Sequence, residues 1–484
     1  MKEGFEVKAL GESIPIALTI AGSDSGGGAG IQADLKTFAA LGVHGISAVT
    51  SITAQNTNRV TEVFDIPGST IKSQIETVRS DIGFHAVKIG MLHNTEIVNA
   101  VADYFEGRPF SNIVVDPVMV SKSGSRLLKY EAVTTLVQRI LPLSFVLTPN
   151  IDEASVLLQT KSKISNIDAA LRAAKEISEL GPKIVIVKGG HLRPHRNGKN
   201  DTLESIDTVY FKKEKKIEYL RSIRYPTKNT HGTGCVFSSA IAAELAKGKK
   251  VIEAIRSAKI FVSNAIKNSL AIGSGAGPVN PSGEVLVQAD RYLIYSNIKV
   301  AVNILETNGS LVSKLIPESR SNIGMAIESA KSYQDVIAVS GRITSLVDGR
   351  AKASGEPEFG ASRHISNAIL AAMKYDKDVR SAMNIAYSPE TIESCRRLGL
   401  TVSSYDRRKE PSNIKRREGS STFWGAEQAI LKSKKFPDIF FHIGDFGKEP
   451  MIVILGHDAI SVAGTAVKIA KSLESNSRKQ FMRL

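Results

Sequence analysis

Short runs rich in Val and Ile alternate along most of the chain with longer segments in which apolar residues recur every three or four positions. The short runs fit buried strands and the longer segments fit amphipathic helices, so the alternation predicts βαβ units around a parallel sheet. In the first part, strands are expected at Pro15 to Ala21, Gly45 to Ser51, Ala86 to Gly90, Asn112 to Asp116, Ser144 to Thr148 and Lys183 to Lys188. Helices are expected at Gly30 to Leu41, Ser69 to Ser80, Asn94 to Phe105, Tyr130 to Ile140, Asn166 to Leu180, Gly234 to Lys247 and Val251 to Leu270. Each strand ends in a polar or Gly-containing loop, the place where open α/β sheets bind their ligands.

The pattern stops at Ala271 to Pro281, a run of small residues punctuated by Pro, which puts a domain boundary between about residues 275 and 300. A second α/β pattern follows. It has a helix near Ala301 to Lys314, strands near Gln334 to Ser340, Pro437 to Ile443 and Pro450 to Leu455, a helix at Ala459 to Ser472, and a frayed tail from Glu474 to Leu484. This part is too short for a (β/α)8 barrel of about 250 residues.

The chain has 484 residues, 42% of them hydrophobic and 23% charged. These values lie near the globular averages and exclude disordered, collagen-like and coiled-coil classes. Its two cysteines, Cys235 and Cys395, exclude a disulfide scaffold and a Cys-rich zinc site and fit a reducing compartment. No apolar run reaches the length of about 20 residues that a membrane helix needs, and the first residues do not read as a signal peptide. A cytoplasmic protein without membrane contact is expected.

The formal charge of +15 is spread evenly over both halves, so neither is a basic arm and no nucleic-acid partner is expected. One basic cluster stands out: Arg407, Arg408, Lys409, Lys415, Arg416 and Arg417. The plain reading is a solvated loop, and the main alternative is a loop that handles phosphate.

Two segments carry candidate chemistry in the first part. Thr19 to Gly30, TIAGSDSGGGAG, is a strand, a glycine-rich loop and a helix start. It lacks both the dinucleotide spacing and the Walker lysine, so alone it reads equally well as a tight turn. Asn229 to Cys235, NTHGTGC, is stronger because it directly precedes an apolar helical run. Gly232, Thr233 and Gly234 would offer free amides to an anion at a helix N-terminus, as phosphoryl transfer requires. Cys235 falls in the first turn, where a thiol pKa is expected to drop and the sulfur could act as a base. On its own the cysteine would read as a small buried hydrophobe; the adjoining anion cradle favours the catalytic reading.

Together with DPVMVSKSG, LTPNIDEA and VKGGH, these motifs occur in an order over residues 14 to 281 that resembles hydroxymethylpyrimidine/phosphomethylpyrimidine kinases of the ribokinase-like superfamily. The resemblance implies a three-layer α/β/α domain, taken as residues 1–285. It implies two ATP-dependent phosphorylations, of 4-amino-5-hydroxymethyl-2-methylpyrimidine and then of its monophosphate. By the same resemblance Gly22, Asp24, Gln55 and Met91 line the pyrimidine pocket, and Asp116 and Glu153 are associated with Mg²⁺ that accompanies ATP. Lys122, Lys188 and Lys267 would serve the nucleotide phosphates, and Gly232 to Cys235 the anion hole with its catalytic residue. Some pyridoxal kinases share a cysteine at this place, which makes vitamin B6 vitamers the alternative substrates.

The dense block of the second part is Gly341-Arg342-Ile343 followed by Gly355 to His364, GEPEFGASRH. Arg342 after a strand could grip a pyrophosphate, and Arg363 and His364 precede a helix at Ile365 to Met373. The plain reading has His364 packing at the helix start and Arg363 in solvent. Convergence of His364, His442 and His457 on a metal is a further possibility, although their spacing matches no short ligand motif.

With AAMKYD and HIGDFGKEP, this block resembles the archaeal-type thiamine phosphate synthase domain over residues 298 to 472. The resemblance implies a smaller three-layer α/β/α domain, class II aldolase-like, taken as residues 298–484. The implied reaction joins the pyrimidine diphosphate to 4-methyl-5-(2-phosphoethyl)thiazole and releases pyrophosphate. Arg342 and His364 match its essential residues, and Arg363 is a neighbouring substrate contact. The alternative is a non-catalytic domain that senses thiamine phosphate. The expected partners are therefore pyrimidine, thiazole phosphate and ATP, in a homo-oligomer.

Overall fold

The computed structural model describes residues 14–108, 110–120, 124, 126–160, 164–190, 204–415 and 420–481. It divides into two units, Met1–Val285 and Leu286–Leu484.

The first unit is built on nine strands: β1 (Ile16–Asp24), β2 (His44–Gln55), β3 (Val60–Asp65), β4 (Ala86–Ile89), β5 (Ile113–Val115), β6 (Val146–Leu147), β7 (Ile184–Val187), β8 (Glu204–Phe211) and β9 (Lys216–Ile223). They lie in the order β3-β2-β1-β4-β5-β6-β7-β8-β9. The run from β2 to β7 is parallel, whereas β3, β8 and β9 join antiparallel. The expectation of a parallel sheet therefore holds for the centre only. The two edge strands, β3 and β9, escaped the pattern because most of their positions are exposed or half-buried and several carry charge, and β8 because Glu204 and Asp207 interrupt its apolar run.

Helices cover both faces, and strand alternation divides the core between them. Leu18 and Ile20 of β1 join the apolar layer of helices Gly68–Asp81, Thr95–Phe105 and Ile167–Glu179. Ala17 faces the other layer, with helices Gly30–Ala40, Thr233–Ala246 and Val251–Lys267. Asn94 and Asn166 cap their helices by accepting from Ile97 and Ala169 amides.

The second unit has a seven-stranded sheet made of β10 (Ile323–Ala326), β11 (Val336–Val339), β14 (Pro357–Phe359), β15 (Ser381–Ala386), β16 (Val402–Ser404), β17 (Ile439–His442) and β18 (Met451–Gly456). Its order is β14-β11-β10-β15-β18-β17-β16. The strands β12 (Ile343–Ser345) and β13 (Ala351–Ala353) form a separate hairpin. Only β16 and β17 pair in parallel; the remaining pairs of the large sheet are antiparallel, which corrects the expected parallel arrangement. Layers again cover both faces. Ile323 and Met325 pack with helix Ala459–Phe481, and Ala326 with helices Arg363–Met373 and Ser420–Lys432.

Two helix boundaries differ from the sequence reading. The helix expected at Ala301 to Lys314 is Gly283–Thr307, followed by short turns, and the supposedly frayed tail continues the last helix to Phe481. In both, polar residues interrupt the apolar stripe without breaking the backbone hydrogen-bond ladder.

Candidate active sites

At the C-terminal end of β1 the buried Asp24 organises the glycine loop. Its carboxylate accepts from the amides of Gly26 (2.8 Å), Gly28 (3.1 Å) and Ala29 (2.8 Å) and from His231 Nε2 (2.9 Å). Burial acts to raise its pKa, but the His231 bond and charge, with the loop amides, outweigh it and hold the carboxyl below the usual range. Gln55 Nε2 lies 3.2 Å from the same His231 nitrogen. Gly22 packs against the Met91 side chain. The four expected pyrimidine-pocket residues thus converge, and His231 links two of them. His231 was overlooked, although it stands inside NTHGTGC.

The loop and the anion cradle meet through backbone. Gly232 has φ of +81°, and a Cβ there would collide with the Gly28 carbonyl; one on Gly28 would collide with His231. Glycine is required at both positions by this close approach. Gly232 precedes helix Thr233–Ala246, whose N-terminus has no side-chain cap. A Cβ added to Gly234 would stand 3.2 Å from both Asp116 Oδ2 and Lys188 Nζ, so the cradle opens beside these charges.

Lys188 Nζ bonds Asp116 Oδ1 at 2.8 Å and stands 3.8 Å from Glu153. Burial opposes the ammonium, but Asp116 and Glu153 prevail and raise its pKa. Burial pushes the Glu153 carboxyl up to about 7 despite Lys188. Glu153 also closes a capping box with Asn150, which aims its carboxylate toward this group. Lys267 is exposed at the end of its helix, and no contact among the described residues joins it to the cluster. Lys122 lies outside the described residues.

Cys235 departs from expectation. Burial pushes its thiol up to about 12, against the pull of Lys88, where the helix N-terminus alone would have lowered it. Lys88 is fully buried with Asp34 at 2.8 Å, and Asp34 also accepts from Thr19 and Ser239. This buried pair beneath the cradle was not anticipated. The signal for Lys88 was a charge inside an otherwise apolar strand, AVKI.

The second unit contains a cavity of about 930 Å³ lined by Arg320, Arg342, His364, Arg407, His442 and Lys448, among others. Arg342 occupies a left-handed backbone conformation (φ +73°), rare for a side chain of this size, and contacts the Ser319 carbonyl. Ser362 caps the helix that begins at Arg363, and both Ser362 and His364 line the cavity. His364 Nδ1 meets Thr422 Oγ1 at 2.8 Å, while its Nε2 has no partner and no access to solvent. Burial, then Arg407 and Arg342, lower its pKa to about 4.

Arg342 and His364 are thus brought together, and Arg363 is not. Adjacent helix positions diverge by about 100°, which carries the Arg363 guanidinium over the Tyr333 ring, 5.1 Å away. His442 shares the cavity, whereas His457 bonds the Asp378 carbonyl elsewhere. Among the described residues no three His, Cys, Asp or Glu side chains group as metal ligands, and no helix is long and apolar enough to cross a membrane.

Family comparisons agree with both halves. The family described as phosphomethylpyrimidine kinase matches residues 24–280, and that described as thiamine-phosphate synthase ThiN matches residues 297–468. The bifunctional thiamine biosynthesis protein ThiDN of Methanocaldococcus jannaschii is 32% identical over 94% of this chain and 98% of its own. The chain belongs to this bifunctional family. It is an enzyme of thiamine biosynthesis with a kinase domain and a thiamine-phosphate synthase domain.

The hydroxymethylpyrimidine/phosphomethylpyrimidine kinase of Haemophilus influenzae is 48% identical over 54% of this chain and 95% of its own. Among solved structures, an ADP complex of Bacillus subtilis pyridoxal kinase matches with a TM-score of 0.51 and 40% identity, covering 57% of this chain and all of that one. The first unit has this ribokinase-like fold. Membership of the bifunctional family supports the two-enzyme reading over the sensor and vitamin B6 alternatives.

Proposed function

We propose that the first unit phosphorylates the pyrimidine alcohol and its monophosphate at the cradle of Gly232, Thr233, Gly234 and Cys235. The observation that carries this reading is the seating of Asp24, Gln55 and His231 directly against that cradle. Gln55 and the Asp24–His231 pair orient the ring, whose edge offers both donors and acceptors. The cradle amides receive the charge of the transferring phosphoryl group. Cys235 stands at the reacting hydroxyl as the proton acceptor; its neutral resting thiol is set by burial, and Lys88 supplies the positive charge that would stabilise a thiolate during transfer.

Asp116 and Glu153 suit a hard divalent ion, since Mg²⁺ takes one or two carboxylates and completes its shell with phosphate and water. A cation there would relieve the burial that holds Glu153 partly neutral. When bound, Mg²⁺ neutralises phosphate charge; Lys188 shares that work from the same group. Asp116→Asn should raise the Mg²⁺ concentration needed for half-maximal phosphorylation at least about tenfold. Unchanged Mg²⁺ dependence would remove Asp116 from the metal site.

In the second unit, Arg342 and His364 stabilise the departing pyrophosphate, and the thiazole nitrogen captures the pyrimidine methylene cation in a cavity from which water is displaced. Arg342→Ala should lower coupling about 10²-fold or more, measured with supplied pyrimidine diphosphate and thiazole phosphate. An unaltered rate would remove the assignment.

A further inference from the structure

The synthase cavity holds a second arginine–histidine pair besides Arg342 and His364. His442, the last residue of β17, is buried. Its Nδ1 accepts the Gly444 amide at 3.1 Å, so the proton of the neutral ring resides on Nε2. Arg407 Nη1 stands 3.4 Å from that Nε2. Two donors therefore face each other with no acceptor between them, and among the described residues no carboxylate pairs with Arg407. Such an arrangement is satisfied by an anion that accepts from both. Of the two glutamates in the cavity lining, Glu449 already accepts the amides of Glu318 (2.8 Å) and Ser319 (3.0 Å) with its two oxygens.

The floor beside this pair is apolar. Ala386, Met451 and His442 are direct cross-strand partners on β15, β18 and β17, and all three line the cavity. A flat heterocycle laid on Ala386 and Met451 would present a short phosphate arm to Arg407 and His442. Coupling brings two anionic groups into one cavity, a departing diphosphate and a phosphate that keeps its charge throughout. The first belongs at the helix N-terminus beside His364, where developing charge is best stabilised. A ring nitrogen committed to accepting from Gly444 leaves His442 as a donor only, which suits recognition of the unreacting group.

On the reading of the second unit as the synthase, we propose that Arg407 and His442 form the specificity clamp for the phosphate of the thiazole substrate. Arg407→Ala, in the full chain, should raise KM for thiazole phosphate about tenfold or more. KM for pyrimidine diphosphate should stay within about twofold of the native value. The native preference for thiazole phosphate over the unphosphorylated thiazole alcohol should shrink by the same factor as the first change. His442→Gln, which retains an N–H donor, should show a smaller rise in the same KM than His442→Phe. Kinase activity of each variant, read in the same tubes, checks that the chain is intact. A rise in the diphosphate KM with the thiazole KM unchanged, or no change in either, would overturn the assignment. Failure of the unmodified chain to form thiamine phosphate would instead remove the synthase reading, and the clamp with it.

Discussion

Cys235 shows how two local rules compete at one atom. A helix N-terminus favours a thiolate, but burial costs a charge more than the first-turn amides return, and the thiol is pushed up to about 12. Cys235→Ala should reduce both phosphorylations by about 10²-fold or more, while coupling of supplied diphosphate continues at the native rate; paired assays on one preparation check this. His364 and His442 give a pH prediction. Both are held neutral, with pKa lowered from 6.5 to about 4. A depressed histidine pKa means that the unfolded chain binds more protons between these values, so stability is present above 6.5 and lost as pH falls toward 4. The thermal midpoint of the second unit should therefore drop through that window, and His442→Gln should flatten the drop.

At the scale of elements, the glycine loop and the NTHGTGC turn are a single device because each backbone fills the space a Cβ would need on the other. Gly232→Ala must bring a side chain into a left-handed conformation and against the Gly28 carbonyl. It should cost about 1–3 kcal/mol of stability and abolish phosphorylation, as read by denaturant titration and kinase assay. Most of this device was legible in sequence, since glycines and a helix start are local signals. The partners across space were not. Asp24 and His231 are 207 positions apart, and periodicity carries no trace of such a pairing. The antiparallel edges β3 and β9 were missed for a related reason: strands with many exposed positions lack the continuous apolar run that marks a buried central strand.

For the whole molecule, each unit carries its own sheet, its own pair of apolar layers and its own site. The strand directions of the second unit were hidden because short Val- and Ile-rich runs look alike in parallel and antiparallel sheets. Arg407 was visible only as a member of a basic cluster, and His442 only as a lone histidine; the parallel pairing of β16 with β17, continued by the Tyr405 amide on the Phe441 carbonyl, brings them into one cavity.

The central claim is that one chain makes the diphosphate and consumes it. Purified protein given the pyrimidine alcohol, ATP, Mg²⁺ and thiazole phosphate should form thiamine phosphate and pyrophosphate, with the mono- and diphosphates appearing as transient species. Accumulation of the diphosphate without thiamine phosphate would contradict the account.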